Sequence, residues 1–438
     1  RIGNNMDRFL MEKLAAWKES PRRKPLILNG ARQVGKTWLL KEFGRLYFKK
    51  VAYVSLDNDA IARSFFEQDF NITRLIGSLS LYTNVDITPD DTLIVIDEIQ
   101  ECPTAITSLK YFCENAPEYA VAAAGSLLGL SAHEGTGYPV GKVNTLDLFP
   151  LSFREFLDAT GNIMFRKLLD SSDICSMKSF APKITMFLRQ YYVVGGMPAA
   201  VDAFAQGAEF SEVRKIQSGI LEGYQRDFAK HAPYRTLPRM MEAWESIPSH
   251  LSQENRKFIF GHIRKGARAK DYEEALTWLV QAGLIIRVPR VSKPELPLAS
   301  YNDNKSFKIF LLDVGLLGAM LELEPATIVN GNAVFTEFKG ALTEQYVCQQ
   351  LISDCDKAPF YWSAENSIGE IDFLVQDSDR IVAIEVKAEE NLKSKSLRAF
   401  KEKNPWVLAV RFSLSPYREQ DWMHNVPLYA ISNRGLWG

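Results

Sequence analysis

The sequence predicts an α/β fold in three parts, on three observations. Short apolar runs alternate with helical patterns up to about residue 155. Helical spacing dominates from there to about 290, and from about 300 mixed α/β character returns, with a hairpin over residues 371–386. The expected boundaries are 1–155, 156–300 and 301–438.

Each element follows in order. Residues 7–20 carry Phe9, Leu10, Leu14 and Trp17 at helical spacing and stop at Ser20-Pro21. Pro25–Leu28 is a short strand, followed by a Gly-rich turn and a helical pattern over Trp38–Phe43. Val51–Leu56, Leu93–Ile96 and Ala120–Ala124 read as further strands, the makings of a parallel sheet. In the middle part, Asp271 caps a helix whose apolar residues are Tyr272, Ala275, Leu276, Leu279 and Val280, closed by Gly283. A strand over Leu284–Val288 and a Pro-rich loop over Pro289–Pro297 follow, an order that predicts a winged helix. In the last part Phe307–Leu312 is a strand, Thr336–Ile352 a helix, and Ile371–Val375 with Ile381–Val386 a hairpin.

Bulk properties narrow the function classes. The chain has 438 residues, a net charge of -1, 46% hydrophobic and 24% charged residues, as a globular protein does. Any nucleic-acid contact must come from local patches. The five cysteines are odd in number and none is spaced as CxxC, which argues against disulfides or zinc and suits a reducing cytoplasm. No apolar run approaches the ~18 residues of a spanning helix, so no membrane association is expected. The opening Arg1-Ile2-Gly3-Asn4-Asn5 lacks the apolar stretch of a signal peptide.

The strongest chemical signal is Gly30-Ala31-Arg32-Gln33-Val34-Gly35-Lys36-Thr37, which fits G-x-x-x-x-G-K-[ST] at every fixed position. Glycines let the backbone N–H groups converge on a phosphate, and the helix that begins near Trp38 adds positive potential. Lys36 would reach the β- and γ-phosphates, and the Thr37 hydroxyl would ligate Mg2+. Sixty residues on, Leu93-Ile94-Val95-Ile96-Asp97-Glu98 supplies an acid for the metal and, in Glu98, a general base for the attacking water. The cofactors expected are therefore ATP and Mg2+, and no guanine-reading Asn-Lys-x-Asp occurs. Gly125-Ser126 reads either as a polar sensor for the γ-phosphate or as a helix cap. Arg154 and Arg32 are both candidate arginine fingers.

Together, Gly30–Thr37, Leu93–Gln100, Gly125-Ser126, Pro150–Phe156 and Gly195-Gly196-Met197-Pro198 resemble the prokaryotic AAA-like ATPases that carry a C-terminal domain of unknown function with a restriction-endonuclease-like fold. The resemblance runs from about residue 12 to 430. It implies a P-loop ATPase domain, a helical and winged-helix middle region, and a mixed α/β nuclease-like domain. That family usually has Gly-Arg-Val ahead of the Pro150 segment; here Gly141-Lys142-Val143 stands instead, and lysine cannot make a bidentate contact.

The second chemical cluster is Glu370-Ile371-Asp372 with Glu385-Val386-Lys387. If Asp377–Arg380 is a four-residue loop, Gln376 pairs with Ile381, Asp372 faces Glu385 and Glu370 faces Lys387. Opposed carboxylates need a cation, such as Mg2+ or Mn2+, with Lys387 placed to orient a water. The spacing resembles the PD-(D/E)xK nuclease motif. In that resemblance Asp372 and Glu385 are the metal-binding acids, Lys387 is catalytic, and Glu344 matches the extra acid. The alternative is a solvated strand face with a Glu370–Lys387 salt bridge. Arg256-Lys257 with Arg264, Lys265, Arg268 and Lys270, and Lys393, Lys395, Arg398, Lys401 and Lys403, read either as phosphate-contacting surfaces or as solvated helix faces.

Three functions remain in play. One is an ATPase that acts on nucleic acid, with DNA favoured, a homo-oligomer allowed and a metal-dependent nuclease domain possible. Another is a nucleotide-switched binding module with an inactive nuclease-like domain. A signalling NTPase with protein partners is the third.

Overall fold

The computed structural model describes residues 7–125, 139–251, 257–330, 335–364, 369–388 and 394–437. The chain divides into two compact units, one of Asp7–Phe149 with Gln281–Gly283, the other of Pro150–Val280 and the chain from Leu284 onward.

The first unit runs α1 (Leu10–Glu19), β1 (Leu26–Asn29), α2 (Lys36–Tyr47), β2 (Lys50–Ser55), α3 (Ala60–Gln68), α4 (Ile72–Thr83), β3 (Thr92–Asp97), α5 (Pro103–Asn115), β4 (Ala120–Ala124) and β5 (Asn144–Asp147). Its described strands form one parallel sheet in the order β2-β3-β4-β1-β5, so β4 lies between the strand that feeds the Gly-rich loop and the strand that ends in Asp97. All six residues of β3 are buried, as a strand covered on both faces requires. Ile94 and Ile96 pack in a cluster with Phe66, Leu75, Leu109 and Phe112 from the helices, each such burial contributing about 1.5–3 kcal/mol. Local signals start the helices: Asp59 accepts from Ala62 N–H ahead of α3, Asn71 from Arg74 N–H ahead of α4, and Pro103 opens α5.

The second unit begins with α6 (Phe153–Ala159), α7 (Ile163–Asp170), α8 (Ile174–Ser179), α9 (Ala181–Val194), α10 (Pro198–Ala205), α11 (Phe210–His231), α12 (Leu237–Leu251), α13 (Phe260–Ile263) and α14 (Ala269–Gln281). It continues with β6 (Ile285–Val291), β7 (Asn302–Leu311), α15 (Val314–Met320), α16 (Pro325–Asn330), α17 (Phe335–Ser353), β8 (Phe360–Ser363), β9 (Glu370–Asp377), β10 (Arg380–Val386), α18 (Lys395–Lys403), β11 (Leu408–Ser413), β12 (Arg418–Glu419) and β13 (His424–Pro427). The described strands form a mixed sheet in the order β12-β13-β11-β10-β9-β8-β6-β7.

The expected boundary at residue 300 lies within that sheet. The boundary falls between β6 and β7, which are antiparallel neighbours, and Arg290 on β6 donates to the Ser363 carbonyl on β8 at 2.7 Å. A strand as short as β6 cannot leave its backbone groups unpaired when buried, so the sheet draws in both sides of the expected boundary. The expected loop at Pro289 is also strand, with a register shift between Pro289 and Arg290 that accommodates the missing N–H. The β9–β10 hairpin keeps the expected register, Ile381 opposite Gln376 and Ile384 opposite Phe373, but its turn is shorter. Arg380 pairs with Asp377, which leaves Ser378 and Asp379 as a two-residue turn, with Ser378 at a φ of 56°.

Two of the sequence motifs meet in this unit. Leu151 N–H donates to the Gly196 carbonyl at 2.7 Å, and a Cβ on Gly196 would stand 2.1 Å from the Leu151 carbonyl oxygen. Only glycine permits that approach. Gly196 N–H in turn donates at 2.6 Å to the wholly buried Asp313, and Ser152 caps α6 in a capping box with Glu155.

Candidate functional site

The Gly30–Thr37 loop curls because three of its residues take left-handed or related backbone angles: Gly30 at a φ of 155°, Gln33 at 66° and Gly35 at 95°. A Cβ on Gly30 would lie 2.4 Å from the Leu148 carbonyl oxygen, so that position accepts no side chain. Helix α2 starts at Lys36, which puts its unpaired N–H groups at the loop. Ala31 and Val34 are buried, and Trp38 is partly exposed. Arg8 holds the loop from behind, donating to the Val34 carbonyl at 3.1 Å and to the Phe149 carbonyl at 2.5 Å.

Lys36 is buried and folded back on its own loop, its Nζ donating to the Gly30 and Ala31 carbonyls at 2.9 and 2.8 Å. Burial pulls its pKa down to about 8 against the opposing charges of Glu98 and Asp97, and Arg32 lowers it further. The sheet register delivers the acid, because the parallel pairing of Ser55 with Asp97 brings the carboxyl ends of β2 and β3 together. Asp97 Oδ2 accepts from the Thr37 hydroxyl at 2.7 Å and from the Tyr53 hydroxyl at 2.9 Å, and its Oδ1 accepts from Glu98 N–H at 3.0 Å. Glu98 sits at a φ of 50°, and its Oε2 accepts from the Gln100 amide at 2.5 Å. A hydroxyl and a carboxylate within hydrogen-bond reach are a hard-oxygen donor pair that suits Mg2+ held with waters and phosphate oxygens.

The other expected residues of this centre fare differently. Ser126 lies outside the described residues. Arg154, weighed as a finger, is committed inside the second unit: it makes a two-pronged ion pair with Asp354, at 2.9 and 2.5 Å, and a further bond to Asp170 at 2.7 Å. Lys142 pairs with Glu114 on α5 at 3.0 Å.

In the C-terminal cluster the expected residues are near one another in the fold but are not brought into one metal-binding group. Asp372 Oδ2 accepts from Val386 N–H at 2.7 Å, Glu385 faces Lys387 Nζ at 3.1 Å, and Glu344 on α17 faces Lys308 Nζ at 3.8 Å. Glu370 was expected opposite Lys387; its partner is Lys308, at 2.5 Å. The physical reason is Lys308 itself, 1% exposed on β7, which supplies a buried cation where the sequence motif offered none. Glu385 Oε2 is buried without a hydrogen bond. Among the described residues, no group of three or more His, Cys, Asp or Glu side chains is arranged to hold a metal ion.

The basic stretches divide. Arg264, Lys265 and Arg268 are exposed just ahead of α14 and Lys270 in its first turn, with Arg264 3.6 Å from Glu242. Lys401 instead donates to the Pro405 and Val407 carbonyls at 2.7 and 2.6 Å, and Arg398 pairs with Glu402 at 3.2 Å. Arg256 and Lys393 lie outside the described residues. Arg8, Tyr53 and Lys308 escaped the sequence reading. Tyr53 alone had a readable signal: strand parity puts it on the face opposite Ala52 and Val54, beside the acid at the end of β3.

Comparison with known proteins adds the following. Residues 22–157 match the family model described as an AAA domain, which makes that segment an AAA-like P-loop ATPase domain. Residues 186–327 and 339–431 match two domains of unknown function, DUF8612 and DUF4143. An uncharacterized protein of Methanocaldococcus jannaschii is 23% identical over 211 residues, which are 44% of this chain and 42% of that protein, so the match spans less than half of that relative's length. Among solved structures, the Walker-type ATPase of Pyrococcus abyssi is similar at 13% identity and a TM-score of 0.46, covering 73% of this chain and 97% of that one. The Orc1 protein of Aeropyrum pernix, solved in complex with DNA, is similar at 14% identity and a TM-score of 0.30, covering 72% and 90%. Among the described residues no helix is long and apolar enough to cross a membrane.

Proposed function

We propose that the protein is a Mg2+-dependent ATPase that acts on nucleic acid, DNA in preference, from the cytoplasm. The observation that carries the ATPase reading is the 2.7 Å contact between Thr37 and Asp97, with Glu98 next in the chain. It joins two motifs sixty residues apart into one set: a lysine for the phosphates, a hydroxyl and a carboxylate for Mg2+, and a second carboxylate for water. Magnesium bound there would shield the phosphate oxygens. Lys36 would then leave the Gly30 and Ala31 carbonyls for the β- and γ-phosphates, and Glu98 would accept the proton of the attacking water.

The nucleic-acid part is supported by element order and surface charge. Helices α12, α13 and α14 precede the antiparallel pair β6 and β7, and Lys257 bridges to Lys308, the arrangement expected of a winged helix. The exposed basic run over Arg264–Lys270 would contact phosphates. Two acids on the outward side of α14 temper base reading there: Glu273 pairs with Arg287 at 2.5 Å and Glu274 accepts from Thr236 at 2.8 Å. The five free cysteines suit a reducing compartment.

A second reading, a nucleotide-switched module whose nuclease-like centre does not cut, is favoured by the lysines that already face Glu344, Glu370 and Glu385. Phosphate release and plasmid cleavage measured side by side separate the two. Under the ATPase reading Glu98→Gln lowers phosphate release by about a hundredfold while ATP stays bound. Release unchanged in Glu98→Gln would overturn that assignment. Metal-dependent cutting by wild type that disappears in Lys387→Ala would reject the non-cutting module.

A further inference from the structure

The two hydroxyls on Asp97 Oδ2 are not equivalent. Thr37 belongs to the loop, and as a metal ligand it would offer an oxygen lone pair to the cation while its hydrogen stays on the carboxylate. Tyr53 belongs to β2, whose pairing with β3 sets Tyr53 opposite Val95 and Ser55 opposite Asp97, so Tyr53 reaches along the shared face from one strand to the next. Lys41 Nζ stands over its ring, 3.7 Å from the centroid, and fixes the ring from the other side.

We infer that Tyr53 is a positioning residue of the magnesium site: its hydroxyl, with that of Thr37, holds the Asp97 carboxylate in the orientation that receives the metal. The inference rests on the ATP and magnesium reading of this site. Tyr53 does not touch substrate; it acts through Asp97. The Tyr53 hydroxyl donates to the carboxylate at 2.9 Å, a contact that a phenol makes with its one hydrogen. Without that donor Asp97 keeps the Glu98 N–H bond on Oδ1, at 3.0 Å, and on Oδ2 the bond from Thr37 alone, whose oxygen the metal would share.

Tyr53→Phe in the full chain removes the hydroxyl and keeps the ring under Lys41. Three quantities test it: the Mg2+ concentration for half-maximal ATP hydrolysis, the rate at saturating Mg2+, and the affinity for a fluorescent ATP analogue in EDTA. The expected result is a rise of about tenfold in half-saturating Mg2+, the loss of one hydrogen bond to a charged group. The rate at saturating Mg2+ and the metal-free affinity should stay within about twofold. In an Asp97→Asn background the same change should add nothing, because the two act through one contact. An unshifted Mg2+ requirement beside a normal wild-type response overturns the inference alone. Equal loss of metal-free affinity also overturns it, since a merely structural tyrosine would behave so. A wild-type chain that binds ATP with no Mg2+ dependence overturns the site reading and the inference together.

Discussion

The P-loop centre and the C-terminal cluster both bury a lysine near carboxylates, and they satisfy it in opposite ways. Lys36 Nζ rests on two neutral carbonyls of its own loop, at 2.9 and 2.8 Å. Lys308 Nζ rests on the Glu370 carboxylate at 2.5 Å, with Glu344 at 3.8 Å. A neutral carbonyl is a weak partner for an ammonium group and yields readily to a phosphate, whereas a carboxylate is a counter-ion in place. On the proposed reading, Lys36 waits for a charged ligand on exchangeable partners. A lysine that belongs to the fold brings its anion with it.

The largest effect expected from that contrast is on stability. Lys308→Met strips the cation from the half-buried Glu370 and the buried Glu344 and should cost about 3 kcal/mol in urea unfolding, the low end for a broken buried pair because Glu370 is partly solvated. An unchanged midpoint would mean that water or another cation already serves those acids, and the contrast would collapse. Function should respond at the other centre. Lys36→Ala should lower ATP hydrolysis by about a hundredfold in a phosphate-release assay, while Lys387→Ala leaves it within about twofold. Equal losses in the two variants would show that the centres work as one.

The smallest effect is a pH dependence. The folded-state pKa of Lys36, lowered by burial from 10.5 to about 8, lies below that of an exposed lysine. Between those values the unfolded chain holds the extra proton, so the stability of the nucleotide-free protein rises with pH across that window. ATP requires the charged form, so its affinity should fall above pH 8, by at most about tenfold per unit. Calorimetry near pH 9 in buffers of different ionisation enthalpy should record proton uptake on ATP binding. Affinity that stays flat to pH 10 would place Lys36 among the ordinary charged lysines and remove the distinction from Lys308.

The same contrast governs how much was legible in the sequence. The phosphate cradle is eight consecutive residues whose types set its backbone, so Gly30–Thr37 could be read directly, and the apolar run before Asp97 announced a fully buried strand. Strand β5 was missed because Asn144-Thr145-Leu146-Asp147 pairs on one edge only and has few apolar residues. The hairpin register was readable by counting back from the loop, but the turn itself was not. Asp377 pairs with Arg380 rather than joining the loop and is held by Lys357 at 2.9 Å and by Arg434, partners that only the folded chain supplies. Lys308 lies 62 residues before Glu370 and on a different strand, and nothing in the local pattern of either marks the pair.

Glu98 carries a consequence of another kind. Its φ of 50° is a backbone angle that glycine takes freely, and a side-chain-bearing residue holds it at a cost of about 1–2 kcal/mol. At this one position a glycine would relieve the strain and remove the carboxylate beside Asp97. Under the ATPase reading, that strain is what an acid at the end of β3 costs, and Glu98→Gly would return it as stability.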